Sequence, residues 1–199
     1  MKSIIAAVII LSGNVLIVSA FHANSFDVIR GCKQHVNVKN YNDPLDYFPT
    51  SSLLHIGYTN HSRIFKIGIQ GRNNGIIRFG EILSPYNKNV IEIVIGANGN
   101  TKSIARRQQR TAANKFTNFA LADIYTPDLL SYNHPTMFRI EIFLEGTIQV
   151  SIDGQDHPFL SFKDSTNIPF NYMAFTKGVA NDLVIFFYDC PLERSNVVC

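Results

Sequence analysis

The chain has 199 residues and a formal charge of +3, with 46% hydrophobic residues, 15 Phe, 8 Tyr and no Trp. That length suits one domain with an adequate core rather than two. A charge so close to neutral argues against nucleic acid as a partner and by itself selects no other.

At the N-terminus Met1-Lys2 supplies a short positive region, an apolar run comes next, and Val18-Ser19-Ala20 places small residues where a signal peptidase cuts. The pattern predicts a secretory signal peptide over 1–20, cleaved after Ala20, and hence a secreted, extracellular protein. Ser12, Gly13 and Asn14 interrupt the run, which makes a retained membrane anchor the lesser reading. No later segment stays apolar for long enough to span a bilayer.

Short apolar runs with period two, parted by Gly, Asn, Pro or Ser, predict strands over 28–38, 53–58, 64–69, 76–83 and 90–95. The segment 102–115 holds good helix formers, among them Ala105, Gln108 and Ala112, but no apolar stripe. It reads as a strand over 102–108 followed by a loop, with a short exposed helix as the alternative. Further strands are expected over 138–144, 147–152, 159–162, 172–176 and 183–188. Glu145-Gly146 forms the turn of a tight hairpin, and Asp153-Gly154 ends the strand after it. Strands this frequent, with no alternating helices, predict an all-β antiparallel sandwich or jelly roll in a single domain, a barrel being the alternative. The expected layout is a signal peptide over 1–20, N-terminal strands over 21–57, the sandwich domain over 58–190 and a tail over 191–199.

Export makes disulfides permissible, and Cys32, Cys190 and Cys199 lie near the two ends of the mature chain. Cys32 with Cys190 would close a loop of about 158 residues, with Cys32–Cys199 as the competing pair. The leftover thiol, Cys199 in the first case, is a candidate for linking two chains as a dimer. Asn60-His61-Ser62 is the sole N-glycosylation sequon and lies in a polar turn.

Catalytic and metal chemistry finds little to rest on. The six histidines, His22, His35, His55, His61, His134 and His157, have no metal-ligand spacing. Asp153, Asp156 and Asp164 match no calcium loop, and no nucleophile motif is present. No catalytic residue, metal or cofactor is therefore assigned. The one charge anomaly is basic: Lys102, Arg106, Arg107, Arg110 and Lys115 occur with no Asp or Glu between Ile93 and Ala122. In an extended strand Lys102 and Arg106 share a face with Ile104, while Arg107 and Arg110 fall on the other side or in the loop.

Ile91 to Gly96, with Gly99-Asn100-Thr101-Lys102-Ser103 and Arg106, resembles the farnesoic acid O-methyltransferase domain of arthropod proteins. Phe138 to Val150 resembles its Phe-x-Ile…Gly-x-Ile-x-Val strand pair. Pro158-Phe159-Leu160 resembles its Pro-Phe-Leu, and Tyr172-Met173-Ala174-Phe175 with Gly178 its late aromatic strand. The resemblance runs over 58–188. It departs where the family usually has a Trp and this chain has Asn98. The family name implies methyl transfer to farnesoic acid. Gly96 and Gly99 do follow a strand, but the βαβ rhythm of a methyl-donor site and its ribose-binding acid are missing.

The reading favoured by these residues is a non-enzymatic binding module for a carbohydrate or another anionic or polyhydroxyl ligand. Its candidate patch is Asn98, Asn100, Lys102, Arg106 and Arg107, side chains suited to hydrogen-bonding such groups. The alternatives are the methyltransferase and a structural extracellular protein dimerised through Cys199. The expected partner is an extracellular glycan or protein.

Overall fold

The computed structural model describes residues 26–178 and 183–192. The signal-peptide region and Cys199 lie outside the described residues. Among those residues no helix is long and apolar enough to cross a membrane.

The strands are β1 (Lys33–His35), β2 (Phe48–Pro49), β3 (Gly57–Tyr58), β4 (Ser62–Gly71), β5 (Gly75–Gly80) and β6 (Asn89–Gly96). They continue with β7 (Lys102–Arg110), β8 (Phe116–Tyr125), β9 (Thr136–Phe143), β10 (Thr147–Ile152), β11 (Leu160–Lys163), β12 (Tyr172–Lys177) and β13 (Val184–Tyr188). They form two sheets, ordered β1-β13-β4-β9-β10-β11 with β3 on β4, and β2-β12-β5-β6-β7-β8. The pairings between named strands are antiparallel. The fold is an antiparallel β-sandwich.

Alternation explains the core. Phe65, Ile67 and Ile69 of β4 and Phe138, Ile140 and Ile142 of β9 point from one sheet. Ile77 and Phe79 of β5, Ile91, Ile93 and Ile95 of β6, and Met173 and Phe175 of β12 meet them from the other. Phe65 reaches Phe79 across the gap at 5.5 Å between ring centroids, and Phe175 stacks on Phe186 of β13 at 4.5 Å. Each such side chain contributes about 1.5–3 kcal/mol by leaving water.

Several expected strands shorten for local reasons. The run over 28–38 keeps only β1, because a 3-10 turn at Asp27–Ile29 and the positive φ of Gly31 precede it. The run over 53–58 keeps only β3. The amides of Leu54 and His55 donate to the Asp189 carboxylate at 2.7 and 2.8 Å, so they are not free for a strand neighbour. The basic segment is a strand and not a helix, as β7 is hydrogen-bonded to β6 on one edge and to β8 on the other. It runs on to Arg110, and β8 occupies residues for which the sequence predicts no element. Two-sided pairing and the burial of Ala105 between the sheets outweigh the segment's helix propensity.

The termini of the sandwich are locked together. Cys32 and Cys190 are disulfide-bonded across a sequence separation of 158, the first of the two expected pairings. Beside the bridge, Lys33 Nζ lies 2.8 Å from Asp189. Burial works against the Asp189 carboxylate, but Lys33 and the two amides outweigh it and hold its pKa below the ordinary value. A depressed pKa stabilises the fold above the unfolded-state value and loses that contribution as pH falls through the folded-state one. Asp189→Asn suits the left-handed backbone here, φ 52°, so it tests charge alone. The variant should cost about 1 kcal/mol at neutral pH. In urea unfolding its deficit should shrink as the pH drops below about 4.

Candidate functional site

The outer face of the six-stranded sheet, the face turned away from the core, is the unusual surface of this sandwich. β6 is buried on both sides beyond its first residue. Its inner side faces the core, and its outer side is covered by the chain after Val38. That segment is tied to β12 by Lys177 N and Thr176 Oγ1, both donating to Lys39 O at 3.2 and 2.9 Å. Asp43 accepts the Asn40 amide at 2.9 Å and turns the chain back. Tyr41 is thereby laid on Ile76, Val94 and Ala97, with Ile104 beside them.

The register of three strands places charges around that ring. Arg78 of β5 pairs with Glu92 of β6, and Glu92 pairs with Arg106 of β7. Glu92 has no solvent exposure, and its two oxygens accept from Arg78 Nε and Arg106 Nε, each at 2.5 Å. Tyr41 accepts at its hydroxyl from Arg106 Nη2 at 3.0 Å and from Gln108 Nε2 at 2.6 Å, and donates to Glu92 at 3.4 Å. Arg110 lies on the same face, its guanidinium 4.5 Å from the Tyr41 centroid, with Arg78 at 4.8 Å and Arg106 at 5.6 Å. Arg110 Nε donates to Gln108, and its Nη1 donates to Asn114.

Three guanidinium groups thus surround one ring with a single carboxylate among them. Cation–π contact with Tyr41 offsets part of the repulsion. Burial, and after it the like charge of Arg78, lower the pKa of Arg110 from its ordinary value. Arg78 is 2% exposed and Arg110 9%, yet the Nη2 atom of each has no hydrogen-bond partner in the protein. Both line a pocket of about 60 Å³, walled by Pro44, Leu45 and Tyr47 on one side and Pro85, Tyr86 and Ala112 on another. Burial pushes the Tyr47 hydroxyl up to about 12, so it stays protonated and can donate.

The residues of the basic patch separate into three places. Arg106 joins the cage around Tyr41, and Lys102 pairs with Asp123 of β8 at 3.0 Å. Arg107 turns to the opposite face, where it binds Asp164 at 2.7 Å and lies 4.7 Å over the exposed ring of Phe119. Asn98 and Asn100 sit in the turn joining β6 to β7. Glu92 lies four positions before the end of β6, about 13 Å along the strand, and Asn98 stands beyond that end in the turn. Asn100 is occupied there, donating to Leu130 O at 2.9 Å and accepting from Leu130 N at 3.1 Å. Arg110 corrects the expectation that it would leave the face of Arg106. β7 extends to residue 110, so the same two-residue period carries Arg106, Gln108 and Arg110 on one side. Tyr41, Arg78 and Glu92 were not singled out by the sequence; the one signal was a lone acid amid the apolar run of β6.

The turn after β6 also bears on methyl transfer. Gly96, Asn98, Gly99 and Asn100 all have positive φ, and the chain returns as an antiparallel neighbour. A methyl-donor loop instead opens a helix in a parallel unit. A Cβ at Gly96 would lie 2.8 Å from both Asn100 Oδ1 and Leu130 Cδ1, whereas one at Gly99 meets nothing. Gly96→Ala should therefore cost about 2–4 kcal/mol in chemical unfolding and Gly99→Ala only about 1 kcal/mol.

Other candidate groups are dispersed. Asp153 pairs with Lys66 at 2.6 Å and Asp164 with Arg107, away from each other's partners. Among the described residues no three His, Cys, Asp or Glu side chains are grouped to hold a metal ion. Asn60 is exposed in the turn between β3 and β4.

Residues 41–192 match the family profile described as farnesoic acid O-methyl transferase. A search of curated proteins returned no significant match. Among solved structures, a β-glucanase from Bacillus licheniformis is 10% identical, with 79% of this chain and 97% of that one covered at a TM-score of 0.38. The carbohydrate-binding module CBM66 from Bacillus subtilis is 12% identical, with coverage of 77% and 92% and a TM-score of 0.36. Likenesses of this strength carry no functional argument.

Proposed function

The chain belongs to the farnesoic acid O-methyl transferase family, and from that premise we propose a role in binding: a secreted, non-enzymatic module that holds its ligand on the outer face of the six-stranded sheet. The observation that carries this reading is the cage of Arg78, Arg106 and Arg110 around Tyr41, opening into a surface pocket. Arginine forks suit carboxylate, sulfate and polyhydroxyl groups, and a partly desolvated setting strengthens each hydrogen bond. The ligand class this favours is an extracellular carbohydrate, acidic members first. Lys102, at the same face, would extend the positive field towards β8, and Asn98 and Asn100 would contribute only to a ligand long enough to reach the turn.

Secretion is supported by the leader-like pattern over 1–20 and by a disulfide that persists in oxidising compartments. Asn60, exposed in its turn, is the proposed glycan acceptor, and Cys199 the proposed inter-chain thiol.

The test is a glycan array at physiological salt beside calorimetry with S-adenosylmethionine, using the secreted, disulfide-intact protein. Binding to acidic glycans that is lost in Arg106→Ala, with no heat from the methyl donor, is the expected result. Micromolar donor binding would restore the activity in the family name. Silence on both, with a dimer that disappears in Cys199→Ser, would favour a structural role.

A further inference from the structure

We propose that the pocket beneath the chain from Asn42 to Tyr47 is an oxyanion subsite, in which Arg78 Nη2 and Arg110 Nη2 together grip one carboxylate or sulfate group of the ligand. The proposal rests on the reading of this face as the ligand seat and specifies what that seat recognises.

Three independent observations lead to it. First, a buried charged donor without a partner is costly, and here two stand at one pocket. Elsewhere on this face the donors are satisfied: Glu92 takes one nitrogen from Arg78 and one from Arg106, and Gln108 with Asn114 takes two from Arg110. The two Nη2 atoms are left over, both on residues that line the pocket. Second, the charges do not balance. Glu92 is the single carboxylate inside the cage, and Asp43 at the pocket wall is engaged by the Asn40 amide and side chain at 2.9 and 3.1 Å. One anion brought by a ligand would relieve the repulsion between Arg78 and Arg110. Third, the space is small. About 60 Å³, at about 10–15 Å³ for each water-sized sphere, takes about four to six of them, which admits a compact oxyanion.

The walls limit how the rest of the ligand sits. Pro44, Leu45 and Tyr86 leave an apolar mouth, with Tyr86 exposed, so the body of the ligand rests outside while the oxyanion enters. Tyr47 supplies a neutral hydroxyl donor at the side. The subsite thus discriminates by charge and by the geometry of a fork, and tolerates variety in the group that carries the anion.

The experiment is calorimetry at constant ionic strength with sodium sulfate, acetate and glucuronate as probes, against chloride and glucose. Sulfate against carboxylate separates the two sources of the oxyanion. Wild type should bind at least one oxyanion probe in preference to chloride. Arg110→Gln should weaken that binding at least about 10-fold, Tyr47→Phe less, and Lys163→Gln, on β11 of the other sheet, little. Arg110→Lys serves if the glutamine variant does not fold, since it keeps the charge and loses the fork; undiminished binding in it would overturn the proposal. No preference for any oxyanion over chloride, with neutral glycans still bound on the array, would overturn the subsite and leave the binding module standing. Failure of both oxyanions and glycans would overturn the two together.

Discussion

Glu92→Ala is expected to destabilise the protein by about 3–5 kcal/mol, a large part of the 5–15 kcal/mol that holds a typical domain folded. Glu92 is fully buried and binds Arg78 and Arg106 at 2.5 Å each, so removing it leaves three guanidinium groups facing one another around Tyr41. Such a loss exceeds the worth of the pair itself, because the orphaned charges keep their desolvation cost without their partner. Glu92→Gln preserves shape and two acceptor sites on its oxygen, so it should fall between wild type and alanine. Equilibrium urea unfolding reads the effect as a lower midpoint at unchanged slope. A cost below about 1 kcal/mol would mean that the carboxylate does not anchor the cage. A further check is charge-neutral: combining Glu92→Leu with Arg78→Met should recover much of the loss, as hydrophobic replacement of a buried pair often does. Recovery of stability with loss of oxyanion binding would separate the structural work of the cage from its recognition.

The second large effect concerns the bridge at the other end of the sandwich. Replacing Cys32 and Cys190 together by serine should cost about 4–5 kcal/mol, since a separation of 158 residues leaves the unfolded chain far more freedom once the link is cut. For a domain of this size that corresponds to a fall of about 10–20 °C in the thermal midpoint. The effect should be strongest on β1, a three-residue strand that among the described strands pairs with β13 and is otherwise tied down by the Lys33–Asp189 ion pair. The Lys33–Asp189 pair and the amides on Asp189 remain, so β13 itself should stay paired with β4. Amide exchange would then show β1 losing protection before the core strands do. Uniform loss of protection would instead make the bridge a clamp on the whole sandwich.

The two results bear on different kinds of information. The strands of the core could be read from the chain because their signal is local: Ile91, Ile93 and Ile95 alternate with Val90, Glu92 and Val94, and one set must face inward. The turn through Asn98 and Gly99 was legible for a similar reason, as few residues other than Asn and Gly adopt positive φ. β8 was missed because its signal is weak. It is an edge strand with mostly exposed residues, including Phe116, Phe119 and Tyr125, so no face of it is clearly apolar. Its place comes from the backbone of β7, which needs a partner on that side.

The basic segment shows the limit most clearly. Lys102, Arg106, Arg107 and Arg110 look like one patch in the chain, but the strand divides them by parity and their partners come from elsewhere. Arg107 meets Asp164 on one face, while Arg106 and Arg110 meet Tyr41, Glu92 and Gln108 on the other. By itself the sequence determined the all-β class, the main strands, the turn chemistry and the cysteines available for bridging, since each depends on residue type and short-range period. Only the tertiary structure decided that Cys32 takes Cys190, and that Arg78, Arg106 and Arg110 converge on one ring. Those outcomes depend on strand register and on where the chain around Tyr41 crosses the sheet. They are set by packing between segments far apart in the chain, which no local pattern encodes.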